Sequence, residues 1–183
     1  PREATTFWAG CGAVRRTLFR RLGGFDAARY DRPAIEDIEL GMRLKAAGER
    51  IRLCPEIQVT HLKRWRLLEM IRVDVNCRAI PWTRLLIERP GTGGDLNLEA
   101  GQKLCVALVF LACAAPVIGL AWPELRAMGL WWWGPLACCA PVLWINRGFY
   151  ALCLRHQGLG FALAAVLLHL LYYLYSGVAF LYA

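Results

Sequence analysis

Hydrophobic and polar positions divide this chain near residue 99. Before that point, apolar residues come in short runs broken by charge. After it, Leu, Ala, Trp, Val and Tyr dominate, and only Lys103, Glu124, Arg126, Arg147 and Arg155 are charged. Three apolar stretches stand in this second part, over residues 104–122, 128–145 and 159–183. A membrane-crossing helix needs about 20 such residues, with a range of about 17–25. Three in succession on so short a chain leave little protein to bury them, so the pattern predicts about three spans over residues 100–183. Pro116 is tolerable in the first, because neighbouring helices satisfy freed backbone groups. The Trp131-Trp132-Trp133 cluster suits the headgroup zone, where indoles collect.

The first part is patterned for shorter elements. A helix is expected from Arg15-Arg16 through Arg21, then a turn at Gly23-Gly24-Phe25-Asp26. After Pro33 the spacing predicts a helix from Glu36 to Ala47, with Leu40, Leu44 and Ala47 on one face and Gly48 as its stop. Residues 50–53 and 57–60 contain β-branched side chains and read as brief strands. One helix–strand unit and a glycine loop are too little for a whole open-sheet domain. Residues 1–63 are therefore expected to be the C-terminal part of an α/β domain whose beginning lies upstream. Trp65, Leu68, Ile71 and Val75 then recur at helical spacing among Arg66, Glu69 and Arg72, which predicts an amphipathic helix in a membrane interface. Pro81-Trp82 opens a second short helix over Thr83 to Ile87, and Pro90 to Gly94 reads as a loop, so residues 64–99 form interfacial helices and a linker.

Charge adds direction. The chain holds 22 Lys/Arg against 14 Asp/Glu, of which 18 and 13 fall before residue 100. The loop Pro123 to Ala127 carries one acid and one base, whereas Asn146 to Gly158 carries Arg147 and Arg155 with no acid. The positive-inside bias then puts the basic first part and the second loop on the cytoplasmic side, with the first loop and the C-terminus outside. That bias, with phosphate handling, accounts for the positive charge, so no nucleic-acid partner is expected. The polar start from Pro1 to Thr5 shows no secretory signal and no initiating Met, and the chain stops inside an apolar run, so it reads as cut from something longer. Eight cysteines form no CxxC pair and no metal spacing, and all but Cys11 read as structural thiols.

Candidate chemistry concentrates in two places. Glu36 and Asp37 open the long helix of the first part, where the helix dipole favours a charged carboxylate. That suits a general base for a sugar hydroxyl, and it equally suits a plain helix cap. Glu39 reads as a solvated neighbour. The second place is His61-Leu62-Lys63-Arg64-Trp65. His61 suits a metal held with carboxylates, or a hydrogen-bonded structural role. Lys63 and Arg64 suit a diphosphate or anionic lipid heads, and Trp65 suits a sugar face or the membrane interface.

Taken with Phe7-Trp8-Ala9-Gly10-Cys11-Gly12-Ala13-Val14-Arg15-Arg16 and Leu22-Gly23-Gly24-Phe25-Asp26, these segments resemble the membrane-bound family 2 glycosyltransferases of the GT-A fold, over nearly the whole chain. The resemblance implies an α/β fold, a partial GT-A domain, followed by interfacial helices and an all-α transmembrane region. It implies that Asp37 is the catalytic base, with Glu36 beside it. Gly10, Cys11 and Gly12 would line the acceptor site with Trp65, while Lys63 and Arg64 assist at the diphosphate. His61 replaces the Gln of the Gln-x-x-Arg-Trp motif of processive members, which implies a ligand to a divalent metal, Mg²⁺ or Mn²⁺. The implied reaction is inverting transfer from a UDP- or GDP-linked sugar to a lipid or saccharide acceptor, at the cytoplasmic face of a bacterial-type inner membrane. The family's Asp-x-Asp motif and nucleotide-binding units precede the segment matched, and no Asp-x-Asp occurs in this sequence. The chain is accordingly expected to lack the donor half and to be inactive alone. Two other readings stay open: a processive polysaccharide synthase, and a non-catalytic membrane scaffold or transport subunit.

Overall fold

The computed structural model describes residues 2–4, 6–60, 62–89 and 99–183. The chain divides into two compact units, Pro1–Asp95 with Tyr182–Ala183, and Leu96–Leu181.

The first unit is organised around one helix. Its elements are β1 (Arg2–Ala4), a 3₁₀ turn (Ala9–Cys11), α1 (Arg16–Arg21), α2 (Glu36–Ala46), β2 (Ile51–Leu53), α3 (Leu67–Val73), a π-helical turn (Asp74–Ala79) and α4 (Ile80–Glu88). Helix α2 buries side chains on two sides. Leu40 and Leu44 pack with Phe7, under Val14, Leu18, Phe19, Leu22 and Ile51. Ile38, with Ile35 just ahead of the helix, packs on Leu85 of α4, beside Tyr30, Met42 and Trp82. Helix α1 closes on Gly23 and Gly24, whose φ of 83° and 69° are left-handed, and the Gly24 N–H donates to Phe19 O at 2.9 Å. This C-terminal stop is one that only glycine makes without strain. Phe25 then folds back edge-on to Phe19, with ring centroids 5.3 Å apart.

The α/β architecture expected of residues 1–63 is not what forms. The molecule is mostly helical, and the described residues contain one small sheet of two short strands. In it β1 and β2 pair antiparallel, with Arg2 opposite Leu53, Glu3 opposite Arg52 and Ala4 opposite Ile51. Lys45 donates to Glu3 across 2.6 Å and holds that exposed carboxyl below its usual range. A GT-A core needs a sheet covered by helices on both faces, whose strands read as near-continuous apolar runs. Here both strands are three residues long and carry Arg2, Glu3 and Arg52. The strand expected over 57–60 is absent as well, and its Ile57 and Val59 stand exposed without a pairing partner.

The two interfacial helices expected between residues 65 and 87 form one helical run from Leu67 to Glu88, joined by the π turn. Pro81 explains the join. It offers no N–H to the ladder, the wider turn ahead of it absorbs the mismatch, and Thr83 Oγ1 donates to Ala79 O at 2.8 Å. The loop expected over 90–94 lies outside the described residues.

The second unit holds α5 (Ala100–Ala121), α6 (Pro123–Ala127), α7 (Leu130–Ile145) and α8 (Arg147–Tyr182) as far as Leu181. Of these, α5 and α8 are long and apolar enough to cross a membrane by length and composition. The expected middle span is shorter, since α7 has 16 residues. The basic loop expected over 146–158 is helical too, as the first arm of α8, and Gly158 (φ 81°, ψ 179°) kinks that helix. Small residues bring α5 and α7 together. A Cβ on Gly119 would lie 3.0 Å from the Trp131 Cα, and one on Gly134 would lie 2.6 Å from the Ala115 Cβ. Such small-residue contacts permit close helix packing where no hydrophobic effect drives it.

A ring of three hydrogen bonds closes inside this packing. Tyr173 Oη donates to Gln102 Oε1 at 2.6 Å, Gln102 Nε2 donates to Asn146 Oδ1 at 3.3 Å, and Asn146 Nδ2 donates to Tyr173 Oη at 3.0 Å. It joins α5, the residue between α7 and α8, and the second arm of α8, beside the buried Cys105, Val109 and Val142. Replacing Tyr173 by Phe keeps the ring's volume and leaves Gln102 Oε1 and one Asn146 N–H without this partner. It should lower stability by about 1 kcal/mol, read as a lower unfolding midpoint in non-ionic detergent. An unchanged midpoint would show that the ring contributes nothing.

Candidate functional site

The start of α2 assembles much of what the sequence singles out. Asp37 is half-buried, and both of its oxygens accept hydrogen bonds. Oδ1 accepts from the Ile38 N–H at 2.8 Å, and Oδ2 accepts from the Ala9 N–H at 2.8 Å. The second bond spans 28 residues and ties the Ala9–Cys11 turn to the helix. One turn further along α2, Gly41 makes room for the same segment. A Cβ there would fall 2.8 Å from the Phe7 nitrogen. Asp37 and Gly41, four apart on one helix face, therefore act as clasp and seat for residues 7–11.

Gly10, Cys11 and Gly12 are held beside Asp37 by this arrangement. Gly10 and Cys11 are exposed, and a Cβ on Gly10 would meet nothing within 4 Å. Gly12 is constrained, because a Cβ there would lie 2.6 Å from Trp8 O and 2.8 Å from the Phe7 ring. Glu36 turns elsewhere. Its Oε2 accepts from the Ala34 N–H at 2.6 Å, and it borders a small hollow with Phe25, Asp26 and Tyr30.

The second group assembles only in part. Lys63, Arg64 and Trp65 lie in an exposed segment without regular structure, ahead of α3. The Lys63 ammonium stands 3.7 Å from the Trp65 ring centroid and 4.0 Å from Glu69. Arg64 and Trp65 make no hydrogen bond to Asp37 or to residues 9–12 among the described residues. His61, the expected metal ligand, lies outside the described residues. Among those that are described, no group of three or more His, Cys, Asp or Glu is placed to hold a metal ion. The ligands implied for Mg²⁺ or Mn²⁺, His61 and an upstream Asp-x-Asp, are not among the described residues.

Glu39 departs from its expected solvated position. It is 3 % exposed and carries its charge inside the unit. Arg43 answers it with Nε at 3.0 and 2.8 Å and Nη2 at 2.7 Å, and Arg89 Nη2 approaches to 3.0 Å. Arg43 also donates to Leu22 O, and to Gly24 O at 2.7 Å. The glycine turn is thereby fixed to α2 through one guanidinium, whose planar fork suits several acceptors at once. The Glu39/Arg43 spacing of four was visible in the sequence, and so was the apolar flank of Ile38 and Leu40; together they were the available signal.

Comparison with protein-family models, with curated proteins and with solved structures finds no match for this chain.

Removing the Glu39 charge leaves Arg43 and Arg89, both partly exposed, facing a neutral acceptor. Glu39→Gln should destabilise the first unit by about 1–2 kcal/mol, below the range for a fully buried pair because both guanidinium groups reach solvent. Denaturant unfolding of the protein in non-ionic detergent measures it, and wild-type stability in that variant would show that the carboxylate is dispensable.

Proposed function

We propose that this chain forms the acceptor side of a membrane-bound sugar transferase, similar in its motifs to the family 2 glycosyltransferases. The observation that carries the reading is the Asp37–Ala9 hydrogen bond, which holds an ionisable carboxylate against the exposed Gly10-Cys11 backbone. In the proposed reaction an acceptor hydroxyl gives its proton to Asp37 as its oxygen attacks the anomeric carbon of a UDP- or GDP-linked sugar. The bond from that carbon to the diphosphate breaks, and its electron pair leaves with the diphosphate. Attack from the opposite face inverts the configuration. Gly10 and Cys11 border the acceptor, and Lys63 and Arg64 offer charge to the leaving group. The donor's nucleotide and a divalent metal would need residues other than those described, and no step here depends on them.

A lipid or saccharide acceptor at a membrane surface suits the surroundings. Leu67, Leu68 and Ile87 on the α3–α4 run are exposed, with Arg64, Arg66 and Arg72 exposed near them. An apolar and basic surface of this kind favours a bilayer interface. With α5 and α8 as spans, the positive-inside bias favours the cytoplasmic side of an inner membrane for the basic first part.

A second reading has its own observation. Both Asp37 oxygens already accept backbone N–H groups, which is what a purely structural clasp in a non-catalytic membrane subunit would show. Transfer of radiolabelled sugar in membranes holding the natural protein separates the two. Asp37→Asn keeps an acceptor for the Ala9 N–H and removes the base. It should abolish transfer and leave donor binding unchanged, while loss of the Ile38 N–H acceptor lowers the unfolding midpoint only slightly. Undiminished turnover in that variant would rule Asp37 out as the base. Absence of transfer by the wild type with every nucleotide sugar would favour the clasp.

A further inference from the structure

Away from Asp37, the first unit gathers three guanidinium groups around one open cleft. Arg29, Arg32 and Arg84 line it, along with Asn76, Asp31 and Glu88. The sequence brings them there by separate routes. Arg29 follows the glycine turn, where its N–H donates to Asp26 Oδ1 at 3.0 Å. Arg32 precedes Pro33 in the bend that leads into α2. Arg84 and Glu88 sit four apart on α4, and Asn76 is delivered by the π turn, an irregularity that recurs at functional sites.

The three arginines are not equivalent. Arg29 donates to Glu88 at 2.6 Å, which pushes its guanidinium further up and fixes it as one wall. Arg32 contacts its sequence neighbour Asp31 at 3.3 Å, with side chains 66 % and 80 % exposed, a pair weak enough to yield to a better acceptor. Arg84 is exposed and makes no hydrogen bond or ion pair among the described residues. One fixed, one weakly engaged and one unengaged guanidinium offer N–H groups from several directions, beside the Asn76 amide, whose Nδ2 already donates to Arg72 O at 2.8 Å.

We propose that Arg29, Arg32 and Arg84 form a binding site for a phosphate group, as a phosphomonoester or a diphosphate. Guanidinium forks match the tetrahedral oxygens of phosphate in pairs. Net charge in the cleft, three bases against two acids, favours an anion. Arg84 and Arg32 close on the phosphate oxygens, while Arg29 keeps its bond to Glu88. The group can come from a lipid headgroup or from a soluble phosphate, since the recognising chemistry is shared. The inference concerns binding alone and stands whether or not Asp37 is a base.

The test uses the purified protein in non-ionic detergent at low salt, with pyrophosphate and dioctanoyl phosphatidate as probes. The unfolding midpoint is followed against probe concentration. Saturable stabilisation is expected. Arg84→Ala and Arg32→Ala should each weaken apparent affinity about tenfold, the loss of one charge-assisted hydrogen bond. Arg126→Ala, in the other unit, should leave it unchanged. Because Arg84 is exposed and unengaged, its variant should unfold at the wild-type midpoint without probe. If it does not, Arg84→Lys, which keeps the charge and loses the fork, should bind with intermediate affinity. Response to both probes supports recognition of phosphate itself. Response to phosphatidate alone supports a lipid headgroup, and response to pyrophosphate alone a soluble ligand. No response to either probe, or wild-type affinity in both arginine variants, overturns the proposal.

Discussion

The first unit depends on one buried negative charge. A carboxylate that is 3 % exposed needs compensation, and Glu39 obtains it from Arg43 on its own helix and Arg89 just beyond α4. Arg43 then has N–H groups to give, and they go to Leu22 O and Gly24 O. Three separate pieces of chain are located by this group: α2, the turn after α1, and the end of α4. The apolar clusters on either side of α2 supply the driving force, but they are tolerant of sliding. The charged cluster sets register.

The position of Asp37 follows from that register. With α2 fixed, the Asp37 carboxylate and the bare Gly41 backbone face residues 7–11, so the Ala9–Cys11 turn is positioned by a helix already held from its other side. The proposed base and the structural clasp of the second reading are therefore one residue, held by one set of contacts.

Elements governed by local chemistry were legible in the sequence. Helix α2, its Gly48 stop and the Gly23-Gly24 turn follow from periodicity and from backbone angles that glycine alone adopts freely. What was not legible depends on partners distant in sequence. The pairing of β1 with β2 joins residues about fifty apart, and nothing in Arg2-Glu3-Ala4 announces it. The segment 57–60 has strand-forming side chains but, among the described residues, pairs with no edge. Glu39 looks like a surface acid until Arg89 is brought beside it. The α/β expectation came from one helix–strand pattern and from motif resemblance, and short motifs constrain turns and caps far more than they constrain the number of strands. In the apolar half, composition predicted helices well. It could not show that α7 would be short or that the basic stretch before Gly158 would be helical.

Gly158 is the point where one residue governs geometry at long range. A Cβ there would meet nothing within 4 Å, so space does not demand glycine, whereas its φ of 81° does. Without the kink, the 36 residues of α8 would form a rod of about 54 Å, far longer than the roughly 30 Å of a bilayer's hydrocarbon. With it, the arm carrying Arg147, Arg155 and His156 takes a direction of its own, and the apolar arm after Gly158 is close to one membrane thickness. A side chain at this position would have to trade the bend for straightness, and so would change the direction in which Arg147, Arg155 and His156 are carried.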